Sequence, residues 1–222
     1  MNKASETASF FKNFSALFSG LVLVQIINFL FSLVLPKYFA PADFAEFGIF
    51  TSVVFILIEV VNAKLDIVVM LGKDDLETKK ILNAAFTIAV IIFSILLLVE
   101  LLFLFFLPKI YFLLPFTILL YGIHQPVLVY LNKQEKYAAV NYFRILQVLT
   151  TCAVTLLLAF QHVAHALVYG FIAGLTAATL LVLFYYRPKA DIQATKEIWE
   201  KYDQFPKYGT WSSLLNNFSR NS

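Results

Sequence analysis

Charge is scarce in this sequence, cysteine nearly absent, and no catalytic cluster stands out. Only 14% of the 222 residues are Asp, Glu, Lys or Arg, whereas a soluble domain is about a quarter charged. That shortage excludes an ordinary water-soluble domain of this length. The single cysteine, Cys152, lies in an apolar run, allows no internal disulfide and says little about redox compartment. The sequence carries no Gly-rich phosphate loop and no Ser–His–Asp set. His162 and His165 stand three apart without an evident third ligand, so neither a metal nor another cofactor is expected. No soluble stretch is large enough for ATP hydrolysis. Any work would draw on an ion gradient or on the substrate's own gradient.

What is present is apolar. The chain is 60% hydrophobic with mean hydropathy +0.79, and it holds 24 Phe, which suits lipid-facing surface. A spanning helix needs about 20 mostly apolar residues. Six stretches qualify, at residues 14–35, 44–71, 81–106, 110–131, 137–160 and 163–186. The expected fold is therefore all-α, a polytopic membrane helix bundle of six spans plus the start of a seventh. Residues 1–187 would form the six-span part, and 188–222 a cytoplasmic connector with an incomplete seventh helix. Asp43 is placed to N-cap the second span, with Pro41 just before it. Pro115 and Pro126 both fall in the fourth, which should kink. The first stretch runs about 22 residues without a small-residue cleavage site, so it reads as a span and not as a cleaved signal.

Orientation follows from Lys and Arg in the connectors. With the N-terminus inside, twelve of the 17 basic residues fall on the cytoplasmic side, and only Lys37 and Lys109 fall outside. Lys64 and Arg144 lie within spans, and Arg220 lies near the end. Tyr185 and Tyr186, just before Arg187, fit an inner aromatic belt.

Ionisable groups inside spans are rare and informative. Glu59, Lys64 and Asp66 sit together in "EVVNAKLDIVVM". On one continuous helix, Glu59, Asn62 and Asp66 would share a face and Lys64 would point away. Two readings stay open: a snorkelling lysine beside solvated acids, or a face lining an aqueous cavity open to the cytoplasm. In the fifth span, Asn141, Arg144, Gln147 and Thr151 follow one face, with Arg144 about 10 Å in from Tyr137. Arg144 is either a structural cation bonded within the protein or a group facing an anionic ligand. Gln25, Asn28 and Ser32 form a patch on the first span, and His124 and Gln125 stand beside Pro126 in the fourth. Each patch alone fits helix–helix hydrogen bonding; together they suit a shared aqueous interior. Gly170 and Gly174 form G-x-x-x-G, a close-packing signature.

Four blocks carry a resemblance. They are "FFKNFSALFSGLVLVQIINFLFSLVLPKYFAPADFAEFGIF", "NAKLDIVVML", "YLNKQEKYAAVNYFRILQ" and "KYDQFPKYGTWSSLLNNFS". The chain resembles the bacterial polysaccharide (O-antigen-type) flippases of the multidrug/oligosaccharidyl-lipid/polysaccharide exporter superfamily. Lys64 stands where that family usually has Arg in a basic-x-acidic element. The resemblance implies transport of undecaprenyl-pyrophosphate-linked oligosaccharide across the inner membrane, for O-antigen and lipopolysaccharide biosynthesis. It implies two helical lobes around a cavity that alternates its opening, this chain being the N-terminal lobe. Such proteins have twelve or more spans, so an incomplete transporter is the expectation, completed by a C-terminal lobe or a second copy. The implied cavity residues are Gln25, Asn28, Glu59, Lys64, Asp66, Asn141, Arg144 and Gln147. The implied partners are the lipid bilayer and the lipid-linked oligosaccharide, with no nucleic acid. Two rivals remain: a six-span interaction or assembly protein, and a membrane enzyme acting on lipid-linked sugars, for which no convincing catalytic cluster is evident.

Overall fold

The computed structural model describes residues 3–103, 108–209 and 212, with side chains from residue 18 onward. All regular structure among the described residues is helical. The helices are α1 (Lys3–Val34), α2 (Pro41–Val61), α3 (Leu65–Val68), α4 (Asp75–Leu102), α5 (Leu114–Lys133), α6 (Tyr137–Phe160), α7 (Ala166–Tyr185) and α8 (Ile192–Lys201). Six segments, carried by α1, α2, α4, α5, α6 and α7, are long and apolar enough to cross a membrane. The chain is thus an all-α, multi-pass membrane protein.

Local chemistry sets the helix ends. Asp43 does not cap α2 from outside as the sequence suggests. Pro41 opens the helix, and Asp43, in its first turn, accepts the Ala40 N–H at 2.8 Å. That is the inward half of a capping box, with proline at the first helical position, where its missing N–H costs nothing. Asp74 and Asp191 cap α4 and α8, accepting from the Glu77 and Ala194 N–H groups at 2.7 and 2.9 Å. The left-handed turns use no glycine: positive φ falls on Ala63, Lys64, Glu135, His162 and His165. Helix α5 ends with Lys136 N–H on the Leu131 carbonyl and Glu135 N–H on that of Asn132. Helix α6 ends the same way around His162. Both are Schellman closures.

Two expectations change. The apolar run 44–71 suggests one helix, but α2 stops at Val61 and the chain turns through left-handed Ala63 and Lys64 into the short α3. Pro115 is the second residue of α5, where a lost N–H is harmless, so only Pro126 is interior. Residues 205–209 form a single turn, and the remainder of the expected seventh helix, apart from residue 212, lies outside the described residues, as do residues 104–106 of the third span.

The chain divides into two compact units. One comprises residues 1–44 and 131–181. There α1 packs on α6, where a Cβ at Gly20 would fall 2.0 Å from Asn141 Cγ. Helix α7 presses Gly170 and Gly174 onto α6: Cβ atoms there would meet Thr155 Oγ1 at 1.8 Å and Thr151 Oγ1 at 2.0 Å. The G-x-x-x-G motif therefore does what its spacing suggests, bringing two backbones close. Tyr38 meets Phe160 edge-on at 5.2 Å.

The other unit comprises residues 45–130 and 182–222. Its core holds Phe50, Val54, Leu65, Val68, Ile81, Ala85 and Ile118, all fully buried. Gly122 on α5 makes room for Ala89 of α4 and Val61 of α2; a Cβ would fall 2.5 Å from that of Ala89. Helix α8 lies along the start of α4.

Candidate functional site

In the second unit, the break after α2 decides what its charges do. Left-handed backbone at Ala63 and Lys64 turns the Lys64 side chain back onto Glu59, and the two form an ion pair. Both are largely shielded, with side-chain exposures of 13% for Lys64 and 28% for Glu59. Asp66 stands on α3, half-buried, and burial raises its carboxyl above the usual carboxylate range, with the Lys64 charge opposing. Asn62 is buried, with its Oδ1 unmatched by any donor. The C-terminal turn closes over this spot: Gly209 sits so near that a Cβ would fall 3.3 Å from Lys64 Cγ.

In the first unit, the polar face of α6 divides by use. Asn141 is buried beneath Gly20 of α1, and Thr151 lies under Gly174 of α7. These two ends of the stripe serve helix packing. Between them, Arg144 and Gln147 are half-buried. Arg144 has no ion pair or hydrogen bond to a described residue. On α1, Gln25 and Asn28 are exposed and likewise have no such bond. Gln25 lies among Phe18, Leu21, Val22, Ile26 and Phe29, along an otherwise apolar concave face of about 470 Å³. So Asn141, Arg144, Gln147, Gln25 and Asn28 share one unit, and Glu59, Lys64 and Asp66 the other.

Two features escaped the sequence reading. Glu100, near the far end of α4, is buried to 6% exposure, and its Oε2 has no hydrogen-bond donor. A glutamate flanked by Leu and Val in an apolar run gives one signal, its mere presence there. The other is a polar seam between α4 and α8. Glu77 accepts from the Lys73 N–H at 2.8 Å, from the Tyr202 hydroxyl at 3.0 Å, and from Lys201 Nζ. Lys80 pairs with Glu197 at 2.9 Å. The backbone N–H groups of Lys189 and Asp191 donate to Asn83 Oδ1 and Thr87 Oγ1 at 3.1 and 3.0 Å. Pairs more than a hundred residues apart carry no local sequence signature.

Chemically, the first unit offers, inside spans, the Arg144 guanidinium with no counter-charge among the described residues and the Gln25 and Asn28 amides. The second offers a charge pair already balanced. Among the described residues, no three His, Cys, Asp or Glu side chains converge as metal ligands. No family model, curated protein or solved structure matches this chain.

Proposed function

We propose that this chain lines a membrane path for an undecaprenyl-pyrophosphate-linked oligosaccharide. The cargo moves from the cytoplasmic to the periplasmic leaflet of a bacterial inner membrane, to feed O-antigen-type polysaccharide assembly. The N-terminus is cytoplasmic, in line with the twelve-to-two distribution of basic residues.

Arg144 carries this reading. A guanidinium about 10 Å into a spanning helix, without a partner among the described residues, calls for an anion from elsewhere. Its planar fork suits the two phosphates of a pyrophosphate better than a point charge would. Gln147, Gln25 and Asn28 belong to the same unit and supply donors and acceptors for sugar hydroxyls. The polyprenyl tail stays in hydrocarbon and needs no protein path. No bond is made or broken, so no catalytic residue is required. The opposite wall of the path is a further lobe or a second copy. The rival, an assembly protein whose polar residues only join helices, draws on Asn141 and Thr151, both used in packing.

The test is made in the cells that produce the protein. Deleting its gene should leave lipid-linked oligosaccharide on the inner leaflet and remove surface polysaccharide. Arg144→Ala should insert normally and fail to restore it. Surface polysaccharide that persists after deletion overturns the reading.

A further inference from the structure

Helix α8 has two working faces, and α4 accounts for only one. Ala194 and Ile198 are buried, and Glu197 and Lys201 reach Lys80 and Glu77. At about 100° per residue, Ile192, Lys196 and Trp199 fall on the opposite side within an arc of about 60°. Ile192 is 79% exposed and Trp199 40% exposed, so the described residues leave Ile192 open and Trp199 partly so.

The neighbouring helix fixes where the stripe lies. Asp191 bonds Thr87, Glu197 bonds Lys80, and Lys201 bonds Glu77. As one helix rises the other descends, residue for residue, so α8 runs antiparallel beside the first three turns of α4. Helix α4 is 28 residues long, about 42 Å, against a hydrocarbon core of about 30 Å. Its first turns therefore stand in the headgroup zone, and the next reach the edge of the hydrocarbon. Trp199 lies at the level of the charged first turns and Ile192 at the level of Ala85 and Thr87. A tryptophan at the headgroups, an aliphatic residue about 10 Å further in, and a lysine between them match the layering of a bilayer interface.

We propose that the Ile192–Lys196–Trp199 face of α8 is a lipid-binding surface that takes anionic headgroups. The charges around it favour that class. Lys79, Lys80 and Lys201 are neutralised by Asp75, Glu197 and Glu77. Lys196, Arg187 and Lys189 are exposed and form no ion pair among the described residues, against Glu200 on the flank of the stripe and Asp191 at its start. Three cations against two acids, beside apolar anchors, attract a negatively charged leaflet. The inference needs only that the chain is a membrane protein and is independent of the translocation reading.

The test uses the full chain in vesicles, with Trp211→Phe leaving Trp199 as the single tryptophan. Lipids brominated on the upper acyl chain should quench Trp199 strongly, while aqueous iodide should quench it weakly. Replacing zwitterionic with anionic lipid should shift its emission to the blue, and Lys196→Gln should remove that shift. Ile192→Trp, with Trp199→Phe and Trp211→Phe, should be quenched best by bromines placed deeper on the chain. Strong iodide quenching would show a solvated face and overturn the proposal. Protection from both quenchers would mean a protein partner and also overturn it. Emission indifferent to lipid charge overturns the anionic preference.

Discussion

Lys64 reaches back across a break in its own helix to neutralise Glu59. On an unbroken helix, residues five apart point about 140° away from each other. Left-handed backbone at Ala63 and Lys64 brings the two together. Such conformations cost a non-glycine residue roughly 1–2 kcal/mol each, and the ion pair offsets part of that. Lys64→Met should leave Glu59 unpaired near the end of a span and destabilise the protein by about 2–3 kcal/mol. Glu59→Gln in the same chain should return most of the loss. Thermal unfolding in detergent reads both, and additive losses would show that the pair does not couple.

The α6–α7 contact should tolerate no side chain at either glycine. A Cβ at Gly174 would also fall 2.5 Å from the Gln147 carbonyl oxygen, which is backbone and cannot step aside. At Gly170 the nearest obstacles are Thr155 Oγ1 and Cβ, with its backbone nitrogen at 3.0 Å. Both alanine variants should lose about 1–3 kcal/mol or more through overpacking. Thr155→Gly should rescue Gly170→Ala, and Thr151→Gly should not rescue Gly174→Ala.

Glu77 is the hub that keeps α8 on α4, so its loss should open the seam locally. Glu77→Gln should cost about 1 kcal/mol after solvent screening, and protease cleavage between residues 187 and 203 should accelerate. The hydrogen bond to Glu77 raises the Lys201 ammonium above the usual lysine range. A raised folded-state value means the contact is fully present below the ordinary lysine pKa. It is lost as pH climbs through the raised one. Docking of α8 should therefore hold through neutral pH and weaken in strong alkali, and again in strong acid, where Glu77, held down at about 2 by its bond from Lys201, takes up a proton. Cleavage rates followed against pH check this.

Arg144 should separate charge from geometry. Arg144→Ala should abolish appearance of surface polysaccharide, and Arg144→Lys should leave a reduced but measurable amount, because lysine keeps the charge and loses the fork. Equal transport by both variants and the parent would make Arg144 a packing residue.

Much of this was legible in the sequence, and the exceptions have physical causes. Six spans followed from the length of apolar runs, and the close α7 contact from Gly170 and Gly174. The break after Val61 was not legible, because the left-handed positions fall on Ala63 and Lys64, and the neighbouring Asn62 also fits the polar face of an unbroken helix. That single hidden turn reversed the expected direction of Lys64. The stripe on α6 was seen, but not that Asn141 and Thr151 are claimed by Gly20 and Gly174. Periodicity identifies a face; only the facing helix says whether the face is wet. The seam around Glu77 depends on partners beyond residue 180, which no local pattern encodes.

The seam also sets an order of events during synthesis. Asn83, Thr87, Lys80 and Glu77 have left the ribosome long before Lys189, Asp191, Glu197 and Lys201 are made. Throughout that interval the charged end of α4 must sit at the membrane with its polar groups served by water or by the insertion machinery. The late arrival of α8 is thus what fastens this end of α4. A ribosome stalled before residue 191 would hold a nascent protein whose third span is inserted but still unfastened.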